Sequence, residues 1–409
     1  MYKKDTNWKK NITLFLLSQA VSLFGSSLVQ YAITWYITMK TQSGGMMTIS
    51  IICGFLPTFF LSPFAGVWAD RFNRKKLIML SDSMIAAATL MMAVLFLLGY
   101  NAIWMLFLVS ALRALGTGVQ TPAVGAFLPQ LVPMEKLTKV NATNATLQSV
   151  MMMVSPMISG ALFAIAGIEF IFFIDVITAA IAVLILLLFL RVPPHEKAAE
   201  KQTATYFADF HTGLQYIKNH AFVKNFFVFM AIFMFLVAPA AFLTPLQVTR
   251  SFGNDVWRLT AVEVSFSIGM IAGGALMAVW GGFKNKVHTM ILAFILVGVF
   301  TFALGIIPVF WIYLVFMGLI GVTIPMFNTP STVLLQEKVE PDYLGRVFGV
   351  MGMISSAMMP LAMLIFGPVS DAVAIEWLLI GTGILLFLQN LLLICNKPLL
   401  EAGKPLKES

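Results

Sequence analysis

A chain of 409 residues with 59% hydrophobic and only 11% charged side chains cannot be an ordinary soluble globule, in which about a quarter of residues are charged. The net charge of +8 could suggest a nucleic-acid partner, but 22 of the 26 Lys and Arg fall on one side of the topology derived below. The positive-inside bias of a membrane protein accounts for them, so no nucleic acid is required.

About 20 apolar residues cross a bilayer, and the sequence predicts twelve such helices. They fall at 11–38, 46–69, 77–98, 102–122, 141–166, 169–191, 222–248, 259–281, 288–306, 310–333, 347–371 and 376–396. The N-terminal cations Lys3, Lys4, Lys9 and Lys10 precede an apolar run, as in a signal peptide. Gln19 interrupts that run, however, and no small-x-small cleavage site ends it. The first span instead continues to Trp35 and Tyr36, expected as an aromatic anchor at the far interface. Its Gln19, Ser22, Ser26, Gln30 and Thr34 share one helical face. They read either as the lining of an interior cavity or as interhelical hydrogen bonds without substrate contact.

Between the second and third spans stands Gly66-Val67-Trp68-Ala69-Asp70-Arg71-Phe72-Asn73-Arg74-Lys75-Lys76. Four cations there would be costly in hydrocarbon and are attracted to anionic headgroups, which places this turn at the cytoplasmic surface and both termini with it. Three acids and one arginine follow inside or near the membrane: Asp82, Arg113, Asp175 and Glu263. Arg113 lies about 16 Å from one end of its span, near the bilayer centre, where an unpaired arginine costs about 3 kcal/mol or more. Ser110, Gly116, Thr117 and Gln120 continue its face as a polar stripe, so it should point to the interior. Asp175, about 9 Å inside its span, has Thr178, Ala179 and Ala182 on its face and should also point into protein. Desolvated carboxylates of this kind can load a proton near neutral pH. Asp175, Glu263 and Asp82 are therefore proton-coupling candidates, with a structural hydrogen bond or a solvated helix end as the alternative.

Several features are read more plainly. Asn141 and Asn144 are polar starts to the fifth span rather than glycosylation sites. The stretch 192–221 is the one long hydrophilic connection; it divides an N-terminal half, 1–191, from a C-terminal half, 222–409. Within it, 206–219 could form a surface helix with Phe207, Phe210, Leu214 and Ile217 on one side. Gln120-Thr121-Pro122 and Asn328-Thr329-Pro330 are each followed eleven residues later by a proline, Pro133 and Pro341. The offset between the two copies is 208 residues, so a duplicated six-helix unit is the economical explanation. The second copy of the charged turn, Gly281-Gly282-Phe283-Lys284-Asn285-Lys286, keeps cations but lacks the acid. Cys53 and Cys395 fall near opposite membrane faces, out of disulfide reach. No phosphate-cradling loop, metal-ligand spacing or catalytic pair is found, so neither an enzyme nor a cofactor or metal is expected. The 26 Met and 36 Phe, with Met151, Met152 and Met153 among them, would suit an adaptable apolar site, although most should face lipid or core.

The stretch from Gly66 to Lys76 resembles the loop between helices 2 and 3 of the major facilitator superfamily, with Asn73 where the family has Gly. Because both residues tolerate a left-handed backbone, the turn should survive. Arg113-Ala114-Leu115-Gly116-Thr117-Gly118 is similar to that superfamily's helix 4 motif. Ser155-Pro156-Met157-Ile158-Ser159-Gly160 resembles the Gly-Pro-x-x-Gly-Gly packing element of its drug antiporters, with serines replacing two glycines. Over nearly the whole chain the resemblance is to the macrolide-efflux branch. It is carried by Thr121-Pro122-Ala123 with Leu131-Val132-Pro133, by Glu263-Val264-Ser265-Phe266 with Gly269-Met270-Ile271-Ala272-Gly273-Gly274, and by the segment Gln336 to Phe348.

The resemblance implies an all-α membrane protein of twelve transmembrane helices in two pseudo-symmetric halves, with a substrate site between them. It implies a plasma-membrane exporter of hydrophobic or amphipathic compounds, macrolide-type drugs first, working by proton antiport and alternating access. Arg113, Asp175 and Glu263 would couple protons, while Gly66, Asp70, Arg71, Arg74 and Lys75 would form a cytoplasmic latch. Gln19, Ser22, Ser26, Gln30, Thr117 and Gln120 would line the cavity. The expected partners are a small-molecule substrate, protons and the bilayer, and the expected state is a monomer. An importer of a nutrient or lipid, or an exporter of siderophores or peptides, is the alternative; a non-transporting sensor is a remote one.

Overall fold

The computed structural model describes residues 8–190 and 215–404, and every regular element among them is helical. The first four helices are α1 (Trp8–Thr41), α2 (Gly44–Arg71), α3 (Arg74–Leu97) and α4 (Ile103–Leu131). A helical run of 51 residues, Met134–Leu184, follows. At 1.5 Å per residue it would reach about 77 Å, against about 30 Å of hydrocarbon, so it cannot be one span. It is divided at Gly167, whose φ of 79° is left-handed, into α5 over 134–166 and α6 over 168–184. A π-helical turn, Ile185–Phe189, ends α6.

The remaining helices are α7 (Ala221–Phe242), α8 (Thr244–Ser251), α9 (Val256–Trp280), α10 (Lys286–Leu304), α11 (Phe310–Lys338), α12 (Pro341–Ala372), α13 (Ile375–Ile394) and the short α14 (Lys397–Ala402). Among the described residues, 11 helical stretches are long and apolar enough to cross a membrane, and the break at Gly167 in one of them makes twelve spans. Large apolar side chains lie fully outside, such as Ile165 at 85% and Val279 at 91% exposure. In water such a surface would drive association; in a bilayer it is the solvated face.

Several helices run further than the sequence suggests. α4 continues through Pro122 and Pro129, and α11 through Pro325 and Pro330. Proline removes one helical hydrogen bond, and a membrane helix packed among others tolerates that loss. α4 and α11 are both 29 residues long, and each is followed by a helix that begins at Pro133 or Pro341, as its cap or first residue. α5 therefore starts at Met134, and Asn141 and Asn144 lie inside it instead of opening it. The expected seventh span is interrupted at Leu243, whose amide donates to the Pro239 carbonyl, into α7 and α8.

The chain packs as two compact units. Unit 1 comprises Met1–Lys40 and Ile49–Lys201; unit 2 comprises Thr41–Thr48 and Gln202–Ser409. In unit 1 the core is built from Leu28, Ile33, Met92, Leu106 and Phe172. Trp35 is only 1% exposed, so it is a core residue and not the interfacial anchor the sequence suggests. Tyr36 packs edge-on against Phe96 and Phe163 in the same core. In unit 2 the apolar α7 is core, with the rings of Phe233, Phe294 and Phe327 packed at a tilt to one another at centroid separations of 4.3 to 5.4 Å. Of the expected surface helix, 206–214 lies outside the described residues; 215–219 is helical, with Ile217 buried in the unit 2 core instead of facing headgroups.

Candidate functional site

The polar face of α1 opens on a cavity of about 420 Å³ inside unit 1. Gln19, Ser22, Ser26 and Gln30 from α1 line it together with Thr117 and Gln120 from α4, so all six expected cavity residues meet there. Ser27, Thr121, Asn144 and Gln148 add further polar groups. Thr34 is not part of the lining; its hydroxyl donates to the Gln30 carbonyl one turn back, at 2.9 Å. Met151, Met152 and Met153 are absent from the lining too, and the lining holds no Phe. The lining of this unit 1 cavity thus combines amides and hydroxyls with the aliphatic side chains of Ala20, Leu23, Val124 and Leu147.

Behind this wall, in the unit 1 interior, Arg113 is 7% exposed and Asp175 fully buried, and the two form an ion pair. The sequence points each of them inward but does not pair them. Arg113 also donates to the Thr89 hydroxyl and, at 3.1 Å, to the Ser26 carbonyl. The Ser26 hydroxyl donates to the other Asp175 oxygen at 3.3 Å, and Thr89 Oγ1 lies 2.9 Å from Asp175 Oδ2. Every oxygen of Asp175 therefore has a partner, as a buried charge requires. Ser26 takes part through both side chain and backbone and also lines the cavity, so it joins the ion pair to the open space. Gly25 explains how α6 comes so close: a Cβ there would overlap Thr178 Oγ1 and sit 2.9 Å from the Asp175 Cα.

Asp82 on α3 is 2% exposed. Its Oδ1 accepts from Ser22 Oγ at 2.7 Å and from Gln120 Nε2 at 2.6 Å, both cavity residues. Its Oδ2 is buried without a partner among the described residues. Glu263 lies half-buried in α9 of unit 2, and on its helix Ser265 donates to the Leu314 carbonyl of α11 at 2.6 Å. The helix 5 element is buried against α1: Ser155 and Ser159 are both 0% exposed, and Ser159 donates to the Leu28 carbonyl at 2.9 Å. Pro156 and Gly160 are buried beside them.

The charged stretch folds as a tight turn. Asn73 has φ −66° and ψ 111°, an extended N-cap for α3 whose side chain accepts from the Lys76 amide. The left-handed conformation expected for it is therefore not used; Asn serves as a cap, which glycine does less well. Arg74 donates to the carbonyls of Ala69 and Ala126, at 2.9 and 3.0 Å, and Lys75 donates to the Leu190 carbonyl at 2.8 Å. Both cations thus satisfy carbonyls near helix C-termini, where the dipole favours positive charge. Arg71 is exposed, a Cβ on Gly66 would meet open space, and the Asp70 side chain lies outside what is described.

Two features of unit 2 were not foreseen. Lys286, in the copy of the turn that lacks an acid, is paired with Glu337 of α11 at 3.0 Å. Asp371, in the last turn of α12, accepts from the amides of Gly44 and Gly45 at 2.7 and 2.9 Å and from Ser43 Oγ at 2.8 Å, capping the start of α2. Arg250 joins it at 3.0 Å and donates to the Ser370 and Gln42 carbonyls. Asp371 is remote in sequence from the helix it caps, and no local pattern announces it.

The family profile described as Major Facilitator Superfamily matches residues 15–363. Macrolide efflux protein A of Streptococcus pyogenes is 30% identical over 382 residues, covering 93% of this chain and 94% of that protein. The staphyloferrin A transporter of Staphylococcus aureus is 23% identical over 374 residues, 89% of this chain and 91% of that protein. A crystal structure of a POT family transporter in complex with 5-aminolevulinic acid superposes with a TM-score of 0.73 at 11% identity, covering 97% of each chain.

Proposed function

The chain belongs to the major facilitator superfamily of membrane transporters, and from that premise we propose that it exports hydrophobic or amphipathic compounds, macrolide-type drugs first, by proton antiport with alternating access. The observation that carries this reading is the 30% identity to macrolide efflux protein A over 93% of the chain. The buried acids support the proton as the driving ion: a carboxylate deep in a membrane protein is expensive, and proton relays are a standing reason to keep one. The distribution of Lys and Arg supports cytoplasmic termini in the plasma membrane. The two halves, 1–191 and 222–409, would carry the alternation, with 192–221 as their connection and a monomer as the working unit.

Cells expressing the chain should accumulate several-fold less radiolabelled macrolide than control cells, and a protonophore should abolish the difference. Equal accumulation in both, with and without the protonophore, would withdraw the macrolide reading. One observation favours a second reading. The cavity in unit 1 carries the amides of Gln19, Gln30, Gln120, Asn144 and Gln148 and several hydroxyls, which suit a substrate rich in hydrogen-bonding groups, and one relative is a staphyloferrin A transporter. Efflux of a labelled siderophore in the same cells, without efflux of macrolide, would select it.

A further inference from the structure

Asp82 and Asp175 are both buried acids of unit 1, but their surroundings differ. Asp175 has an arginine, two hydroxyls and no unpaired oxygen. Asp82 has two neutral donors on Oδ1 and, among the described residues, no partner on Oδ2. Apart from Arg113, the helices bonded to or packed on α3 carry their cations only near their ends. On α4 the only charged residue is Arg113, which is engaged with Asp175 of α6. On α1 the charges are Lys9, Lys10 and Lys40, at its ends; on α5 and the start of α6 they are Glu135, Lys136, Lys139 and Glu169. α2 has Asp70 and Arg71 at its end, and of the three cations in the first turn of α3 itself, Arg74 and Lys75 hold carbonyls.

An ionised carboxylate in such a place carries an unpaired charge, while the neutral acid does not. A proton added to Oδ2 leaves Oδ1 free to keep both of its hydrogen bonds, so the change of state needs no rearrangement of Ser22 or Gln120. Both of those residues also line the cavity, which gives the proton a polar route out. Resting on the proton-coupled reading above, we propose that Asp82 is the acid of unit 1 that exchanges protons with the cavity, and that Arg113 and Asp175 are a fixed pair that keeps its charges. Asp175 thereby becomes a positioning residue for α1 and α4, not the proton carrier.

The test is dicyclohexylcarbodiimide labelling of the purified full-length protein, mapped by peptide mass spectrometry. This reagent adds across a protonated carboxyl: the acid proton moves to a carbodiimide nitrogen and the carboxyl oxygen bonds the central carbon, leaving a stable mass addition after rearrangement. At neutral pH, modification is expected on Asp82 at a level many-fold above Asp175, falling away as the pH is raised. Asp82→Asn, which keeps the acceptor for Ser22 and Gln120, should lose the adduct from that peptide. Modification of Asp175 equal to or above that of Asp82, or none on Asp82, would overturn the assignment. The wild-type measurement stands even if the variant fails to fold. Because labelling needs neither substrate nor gradient, its outcome is independent of whether macrolides are exported.

Discussion

Arg113→Met is expected to cost the protein a large share of its stability. The substitution leaves Asp175 at 0% exposure without its cation, and removing one partner of a buried ion pair typically costs about 3–5 kcal/mol. Against a total stability of about 5–15 kcal/mol, that loss is a large fraction and should lower the melting temperature markedly. Thr89 and Ser26 could still hydrogen-bond the abandoned carboxylate, but neither neutralises it. The double variant Arg113→Met, Asp175→Leu removes both charges, and replacing a buried pair by apolar groups is often neutral. It should recover most of the lost stability. Size-exclusion profiles and thermal melting of the detergent-purified proteins check this: a single variant as stable as the wild type, or a double variant no better than the single, would remove the pair from its structural role.

The second large effect is expected where α9 meets α11 in unit 2. Gly269 and Gly273 stand four residues apart on one face of α9, the small-x-x-x-small spacing that lets membrane helices touch through their backbones. A Cβ on Gly269 would overlap the Gly318 carbonyl oxygen, and one on Gly273 would overlap that of Val322. The contact is reciprocal, since a Cβ on Gly321 would overlap the Phe266 carbonyl. These neighbours are backbone atoms and cannot rotate away. Gly269→Val should therefore separate the helices and abolish recovery of folded protein. Gly274→Ala is the matched control: nothing lies within 4 Å of its would-be Cβ, and exchanging a helical glycine for alanine gains about 0.5–1 kcal/mol in helix propensity. Equal recovery of the two variants would contradict the close approach.

What could be read ahead of the structure follows from which interactions are periodic. The spans are legible because a bilayer imposes a length, and the duplication because Pro122 and Pro330 recur at one offset, in helices that prove equally long. The α1 stripe is legible because residues three and four apart share a face, and its four cavity members all reach the lining. Pairings between helices are not periodic. Arg113 and Asp175 are 62 residues apart, so inward orientation can be inferred for each but not their meeting. The same holds for Asp371 with Gly44 and for Lys286 with Glu337. Trp35 misled because an aromatic near a helix end looks alike whether it turns toward headgroups or into a core. Asn73 misled because its two local uses, left-handed turn and N-cap, demand the same residue type. The unpaired oxygen of Asp82 depends on what fails to reach it, which no sequence pattern records.

Proton antiport is the centre of this account, and it is tested most directly in liposomes holding the purified protein and an internal pH dye. A macrolide gradient imposed across the membrane, with no pH gradient at the start, should drive protons in the direction opposite to the drug. Drug flux without counterflow of protons, or no protein-dependent drug flux at all, would contradict it.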